Sequence, residues 1–206
     1  MMRRLFLDRK ASSAAEFGLV LPLLIFFLFG IIDSGRFLWE INKAEKATQA
    51  GARVIVVTDS ASGGLAAHSY LGDTSGGAAL TQGDLVPAAA LGEARCTSSG
   101  GTVSCTCVTA PCPTLTPYID TGFDQMLTRM QFMKSDIAEQ NVSVTYRGSG
   151  LGFAGDPNGM DIAPLVTVEL SGLQFRPLVL FNSVVFDLPA FRTTLTSEDS
   201  SGSVSN

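Results

Sequence analysis

The longest uninterrupted apolar run in the chain lies near its start, from Ala14 to Ile32. Its only ionisable residue is Glu16, and every position from Phe17 to Ile32 is apolar, glycine or proline. Ser12 and Ser13 precede it; Asp33 and Ser34 close it. A bilayer core needs about 20 mostly apolar helical residues, and this run is just long enough. A signal peptide has a shorter apolar core and ends in a small-residue cleavage site, whereas Ile32-Asp33-Ser34-Gly35-Arg36-Phe37 continues as helix-compatible sequence. A core helix of a soluble domain is seldom apolar all the way round. The pattern therefore predicts a retained membrane anchor over about residues 14–32.

Beyond Ile32 the pattern changes to one-sided. Phe37, Ile41, Ala44, Thr48, Gly51 and Ile55 recur at spacings of three and four, while Glu40, Lys43, Lys46 and Arg53 take other faces. Trp39 stands where interfacial tryptophans are common. One helix from about Ser13 to Val57 is expected, its first half in lipid and its second half packed on a soluble domain. Residues 58–93 are rich in Gly, Ser and Ala and read as loop, with a short helix starting at Leu85 or Pro87. A second helix is predicted from Asp120 to Gln140. Thr121-Gly122-Phe123-Asp124 would be its capping box, and Phe123, Met126, Leu127, Met130, Met133 and Ile137 its apolar stripe, placed to cover a sheet face.

The remainder alternates with period two. Val142, Val144 and Tyr146 form one half-buried strand pattern, and Leu165 to Leu170 a second. A run from Leu173 to Phe181 is interrupted by Arg176-Pro177, which suggests an edge or a break. Val184 to Leu188 and Phe191 to Thr196 complete three or four antiparallel strands, enough with a covering helix to bury a small core. The expected fold is α+β: a long N-terminal helix, transmembrane in its first half, a small antiparallel sheet and a second covering helix. It divides into a basic leader (1–11), the helix (12–57), an α+β body (58–197) and a disordered polar tail (198–206).

Composition narrows the choice of function. The 206 residues carry a net charge of −5 with only 16% charged side chains, so there is no basic footprint for nucleic acid. Arg3, Arg4, Arg9 and Lys10 precede the span and favour a cytoplasmic N-terminus, although Arg36, Lys43 and Lys46 soon follow it. Cys96, Cys105, Cys107 and Cys112 are an even set, as disulfides in an extracytoplasmic domain require. The turn Ser98-Ser99-Gly100-Gly101 would fold Cys96 back towards Cys105. Pairing Cys96–Cys105 with Cys107–Cys112 is favoured; Cys96–Cys107 with Cys105–Cys112 is the alternative. Zinc is the rival reading, but C-x8-C-x-C-x4-C lacks paired C-x2-C knuckles.

Enzymatic signals are weak. Gly72-Asp73-Thr74-Ser75-Gly76-Gly77 resembles a serine-protease nucleophile loop with one extra residue, and His68, the only histidine, lies just before it. A triad needs a histidine brought from a separate element, so a turn is the better reading. Asp156-Pro157-Asn158-Gly159-Met160-Asp161 is too short for a calcium loop and lacks its terminal glutamate. No catalytic residue, metal site or cofactor is expected.

Glu16 carries the sharper signal. Arg9-Lys10-Ala11-Ser12-Ser13-Ala14-Ala15-Glu16-Phe17 is basic, then small, then acidic, then apolar. It resembles the class III signal of type IV prepilins. That resemblance implies a cut by a prepilin peptidase between Ala11 and Ser12, leaving Glu16 as the fifth mature residue. Ala11 stands where the family usually has Gly. The Ser12 amine would be the positive partner of a glutamate on a neighbouring subunit, a physical reason for a carboxylate at a bilayer edge. Ala15 to Leu24, then Phe29-Gly30-Ile31-Ile32-Asp33-Ser34-Gly35-Arg36, resembles the N-terminal motif of TadE/TadG-like proteins, minor pseudopilin-type components of Tad (Flp) pilus machines. Ala50-Gly51-Ala52-Arg53 is similar to that family's "GAR" turn. The resemblance covers residues 11–57.

It implies a pilin-like architecture in which a single-pass subunit of a bacterial inner membrane, with its C-terminal body in the periplasm, is packed into or around a pilus. Gly18, Gly30 and Gly35 would allow close helix approach, and Pro22 would let the span bend or unwind on leaving the bilayer. Its partners would be inner-membrane lipid, other pilins or pseudopilins, Tad assembly proteins and a prepilin peptidase, with no nucleic acid. The alternatives are an unprocessed membrane-anchored periplasmic adhesin or binding domain, and a tethered enzyme.

Overall fold

The computed structural model describes residues 9–157, 159–178 and 185–197. The leader up to residue 8, the tail from residue 198, and residues 179–181 and 184 of the two predicted strand runs lie outside the described residues. The chain is α+β. One helix, α1 (Arg9–Ile55), runs through the apolar stretch and on through the one-sided stretch without a break. Its end, two residues short of Val57, lies just past the Ala50–Arg53 motif, so that motif is helix and not a turn.

Two compact units divide the chain, and their boundary falls inside α1. The first holds α1 up to Ile41 together with Gln174–Asp187. Here β5 (Gln174–Phe175) and β6 (Phe186–Asp187) form a short antiparallel pair. Arg176-Pro177 ends β5, as a proline without an N–H should.

The second unit, Asn42–Leu173 with the chain from Leu188, contains the sheet. Its strands are β1 (Glu93–Ser99), β2 (Thr102–Thr109), β3 (Val142–Arg147), β4 (Leu165–Leu170) and β7 (Phe191–Thr196). They lie in the order β2-β1-β3-β4-β7, and every neighbouring pair is antiparallel. The sheet thus exceeds the expected three or four strands, because the cysteine segment adds a hairpin of its own. Gly100 and Gly101 form its two-residue turn and both hold positive φ (62° and 75°). Two left-handed residues give the turn a twist that matches the strands, which is why a Gly-Gly pair sits there.

Period two sorts the sheet's faces. Cys96, Val144 and Val168 are register partners on the buried side, as are Ala94, Tyr146 and Val166. On the other side Arg95, Thr145, Thr167 and Thr194 line up, flanked by ion pairs such as Arg192–Glu169 at 3.1 Å.

The second long helix, α3 (Asp120–Met133), is shorter than predicted. Lys134 leaves the helical region, and Ile137 is buried from the turn that follows. No capping box forms at Thr121. Ile119 is the cap residue, and Asp120 accepts a hydrogen bond from the Val103 N–H of β2 instead (2.8 Å). Phe123, Met126 and Met130 are buried, while Leu127 and Met133 are only partly so. The helix packs on α1 at Gly51, where an added Cβ would stand 2.7 Å from Met130 Cγ and Sδ. A side chain there would force Met130 to shift, so it is the closeness of two helices, not a turn, that favours glycine. A one-turn helix, α2 (Gly63–Ala66), and a 3-10 turn at Ala88–Ala90, in place of the short helix expected after Leu85, complete the connections.

Candidate functional site

The feature with the clearest chemistry is the first part of α1. The run that reads as a span contains a stretch of mean hydropathy 2.4, none of it buried within the protein. Phe17, Leu19, Leu23 and Phe27 are each at least 65% exposed. A soluble protein hides such residues; exposed apolar surface of this extent marks an interaction with lipid or protein. The later turns of the same helix supply core residues, among them Ala44, Ala47, Ala52 and Ile55.

Glu16 lies on the exposed helix surface at the start of this run, immediately before Phe17. The backbone at Ala11 and Ser12 is already helical. Gly18 and Gly35 face open space, with nothing within 4 Å of where a Cβ would be. Pro22 stands four residues after Gly18, so the helix lacks the hydrogen bond that would join Pro22 to the Gly18 carbonyl. Gly30 is partly covered, and its carbonyl accepts a hydrogen bond from the Ser34 hydroxyl (2.8 Å). An open apolar groove of about 1020 Å³ follows this side of the helix, lined by Val20, Leu24, Phe27, Gly30, Ile31 and Leu38.

Sequence reasoning missed the cluster that closes the span. Asp33 is buried, although it read only as the polar end of the run. Its Oδ1 accepts hydrogen bonds from the Leu178 N–H (3.1 Å) and from Arg36 (3.3 Å). Phe37 packs edge-on to Phe175 with ring centroids 5.3 Å apart, and the Arg36 guanidinium lies 5.6 Å from the same ring centre. The only available signal was an aspartate directly after an apolar helix, and a partner 145 residues away leaves no trace in local pattern.

The cysteines form Cys96–Cys105 and Cys107–Cys112, the favoured pairing. The first bridge is buried between β1 and β2, and Cys107 faces outward to reach Cys112. Bridged sulfurs are unavailable as zinc ligands. Among the described residues no three His, Cys, Asp or Glu side chains gather as a metal set.

The loop that resembles a nucleophile loop is a turn. Asp73 Oδ1 accepts the Ser75 N–H (2.6 Å), and the His68 ring packs edge-on to Tyr70 at 4.6 Å. Hydrogen bonds from the Ser75 side chain and backbone hold the Asp73 carboxyl below its ordinary range. Asp161, at the end of the calcium-like segment, is a buried clasp. It accepts the N–H groups of Tyr70 (2.6 Å) and Asp156 (3.1 Å) and the Ser69 hydroxyl (3.2 Å).

A long helix, its exposed apolar first half long enough to cross a membrane, runs on into a disulfide-bridged α+β body. The chain's N-terminal segment is TadE-like: residues 11–53 match the family model described as TadE-like protein. The match covers the processing-like residues, the apolar run and the Ala50–Arg53 motif, and stops before the body. No curated protein and no solved structure matches the chain.

Proposed function

We propose that this protein is a minor pseudopilin-like subunit for assembly of a Tad/Flp pilus, working by helix packing and protein–protein contacts and not by catalysis. One observation carries the reading: the TadE-like segment coincides with an exposed apolar helix that opens on Glu16. In lipid, helices associate through close packing and polar pairs. Gly18 and Gly35 leave room for a neighbouring helix, and Glu16 supplies the polar partner. The apolar helix stores the subunit in the bacterial inner membrane and is then buried among other pilins, pseudopilins and Tad assembly proteins. The basic leader supports a cytoplasmic N-terminus, and two disulfides support an oxidising, periplasmic location for the body.

The test joins N-terminal mapping with one substitution. Protein from native membranes should begin at Ser12, and Glu16→Ala should stay in the membrane yet fail to support pilus assembly. A mature N-terminus at Met1 or Met2, with pili unaffected by Glu16→Ala, would favour a static anchor or adhesin and would defeat the proposal.

A further inference from the structure

We infer that the β5–β6 pair is a second membrane contact, with the exposed side chains of Leu178, Val185 and Phe186 in the lipid interface beside α1. The inference rests on the reading that α1 spans a membrane. The direction of the pair comes from its two contacts with the helix. Phe175 meets Phe37, and three residues later Leu178 is hydrogen-bonded to Asp33. Asp33 lies one helical turn, about 5–6 Å, nearer the span than Phe37. Moving away from the paired strands, the chain therefore travels towards the bilayer. At Leu178 it is level with the residue that directly follows the last apolar position of the span.

The exposed side chains suit that position. Leu178 is 68%, Phe186 50% and Val185 37% exposed. Arg36 stands beside this chain at the level of the headgroups. There its guanidinium can keep Asp33 and the Phe175 ring while reaching lipid phosphate. Trp39, 63% exposed and half a turn beyond Phe37, is a residue type favoured at the same interface. A lipid surface explains why apolar groups are exposed on an element fastened to the end of the span.

The experiment uses the full chain in vesicles of phosphatidylethanolamine and phosphatidylglycerol. A fluorophore sensitive to polarity is attached in turn to Leu178→Cys, Phe186→Cys and, within the span, Phe27→Cys; the four native cysteines are bridged. Quenching is compared for shallow spin-labelled lipid and for aqueous iodide. The inference expects the probes at 178 and 186 to lose emission to the shallow lipid quencher and to be shielded from iodide. Quenching by iodide alone would place the pair in water and overturn it. Shielding from both quenchers would mean protein cover, such as a second copy of this chain, and would overturn it too. The Phe27→Cys probe separates the two claims. If it alone is quenched by lipid, the span stands and the second contact falls. If it is not quenched by lipid, the spanning reading itself fails.

Discussion

Two tyrosines are buried almost completely, and their hydroxyls stand in opposite situations. The Tyr146 hydroxyl accepts the Ala61 N–H at 3.0 Å, just beyond the end of α1. Burial pushes its pKa up, so it stays a neutral donor and acceptor. The Tyr70 hydroxyl is enclosed with no hydrogen-bond partner among the described residues, and burial, then the charges of Asp73 and Asp161, raise its pKa. Removing one partner of a buried hydrogen bond strands the other, at roughly 1–3 kcal/mol, whereas removing an unpaired hydroxyl strands nothing. Thermal melts of the full chain in detergent should show Tyr146→Phe destabilised by about that amount and Tyr70→Phe unchanged or more stable. Equal losses in the two variants would contradict this assignment. Period two predicted that Tyr146 points inward. Nothing local predicted its tie to Ala61, or that Tyr70, set in a Gly/Ser-rich stretch, belongs to the core.

The β1–β2 hairpin is held at its turn by one carboxylate from the 3-10 turn Glu139–Asn141. Glu139 accepts the Gly101 N–H, the Ser98 hydroxyl and the Gly100 N–H, and these bonds hold its pKa below the ordinary glutamate value. A pKa lowered by folding means that the folded state binds fewer protons. The stabilisation is complete above the unfolded pKa of about 4.3 and is lost as pH falls through the lower folded value. Glu139→Gln should therefore melt lower than the parent at neutral pH, with the gap narrowing as the solution is acidified. Asp73 and Asp84, also lowered, remain in both proteins, so the difference isolates Glu139. A gap that widens on acidification would contradict the sign. The hairpin was foreshadowed by Ser98-Ser99-Gly100-Gly101 and the cysteine spacing, but the anchoring glutamate lies in a segment that read as helix. Helix α3 stops early because Lys134 leaves the helical region and Ile137 enters the core from a turn, a tertiary choice overriding a smooth 3.6-residue stripe.

If α1 spans a membrane as proposed, the decisive quantity for the molecule as a whole is the transfer of its exposed apolar surface into lipid. An Arg near the centre of a spanning helix costs about 2.5–3.5 kcal/mol in insertion. Leu24→Arg combined with Phe27→Arg should make the protein extractable from membranes by alkaline carbonate, while the disulfides of the body still form. Leu71→Arg, at a site 50% exposed on the body, should leave membrane retention intact. Retention of the double variant would mean that α1 is held by protein contacts and not by lipid.

The sequence by itself determined the elements whose cause is local or periodic. An apolar run of bilayer length foretold the first half of α1, and one-sided spacing carried the same helix on to residues buried in the body. Strict alternation set β3, β4 and β7, and turn chemistry foretold the favoured cysteine pairing. The TadE-like segment was legible too, because its signature is a contiguous string of residue types from the leader to Arg53. Tertiary structure alone decided what depends on distant partners: the five-strand order, the close approach of α3 at Gly51, the clasps made by Asp161 and Glu139, and the fastening of Leu178 to Asp33 across 145 residues. Each joins buried or tightly packed groups that are far apart in the chain, and hydrophobic periodicity records which way a side chain faces but not what it will meet there.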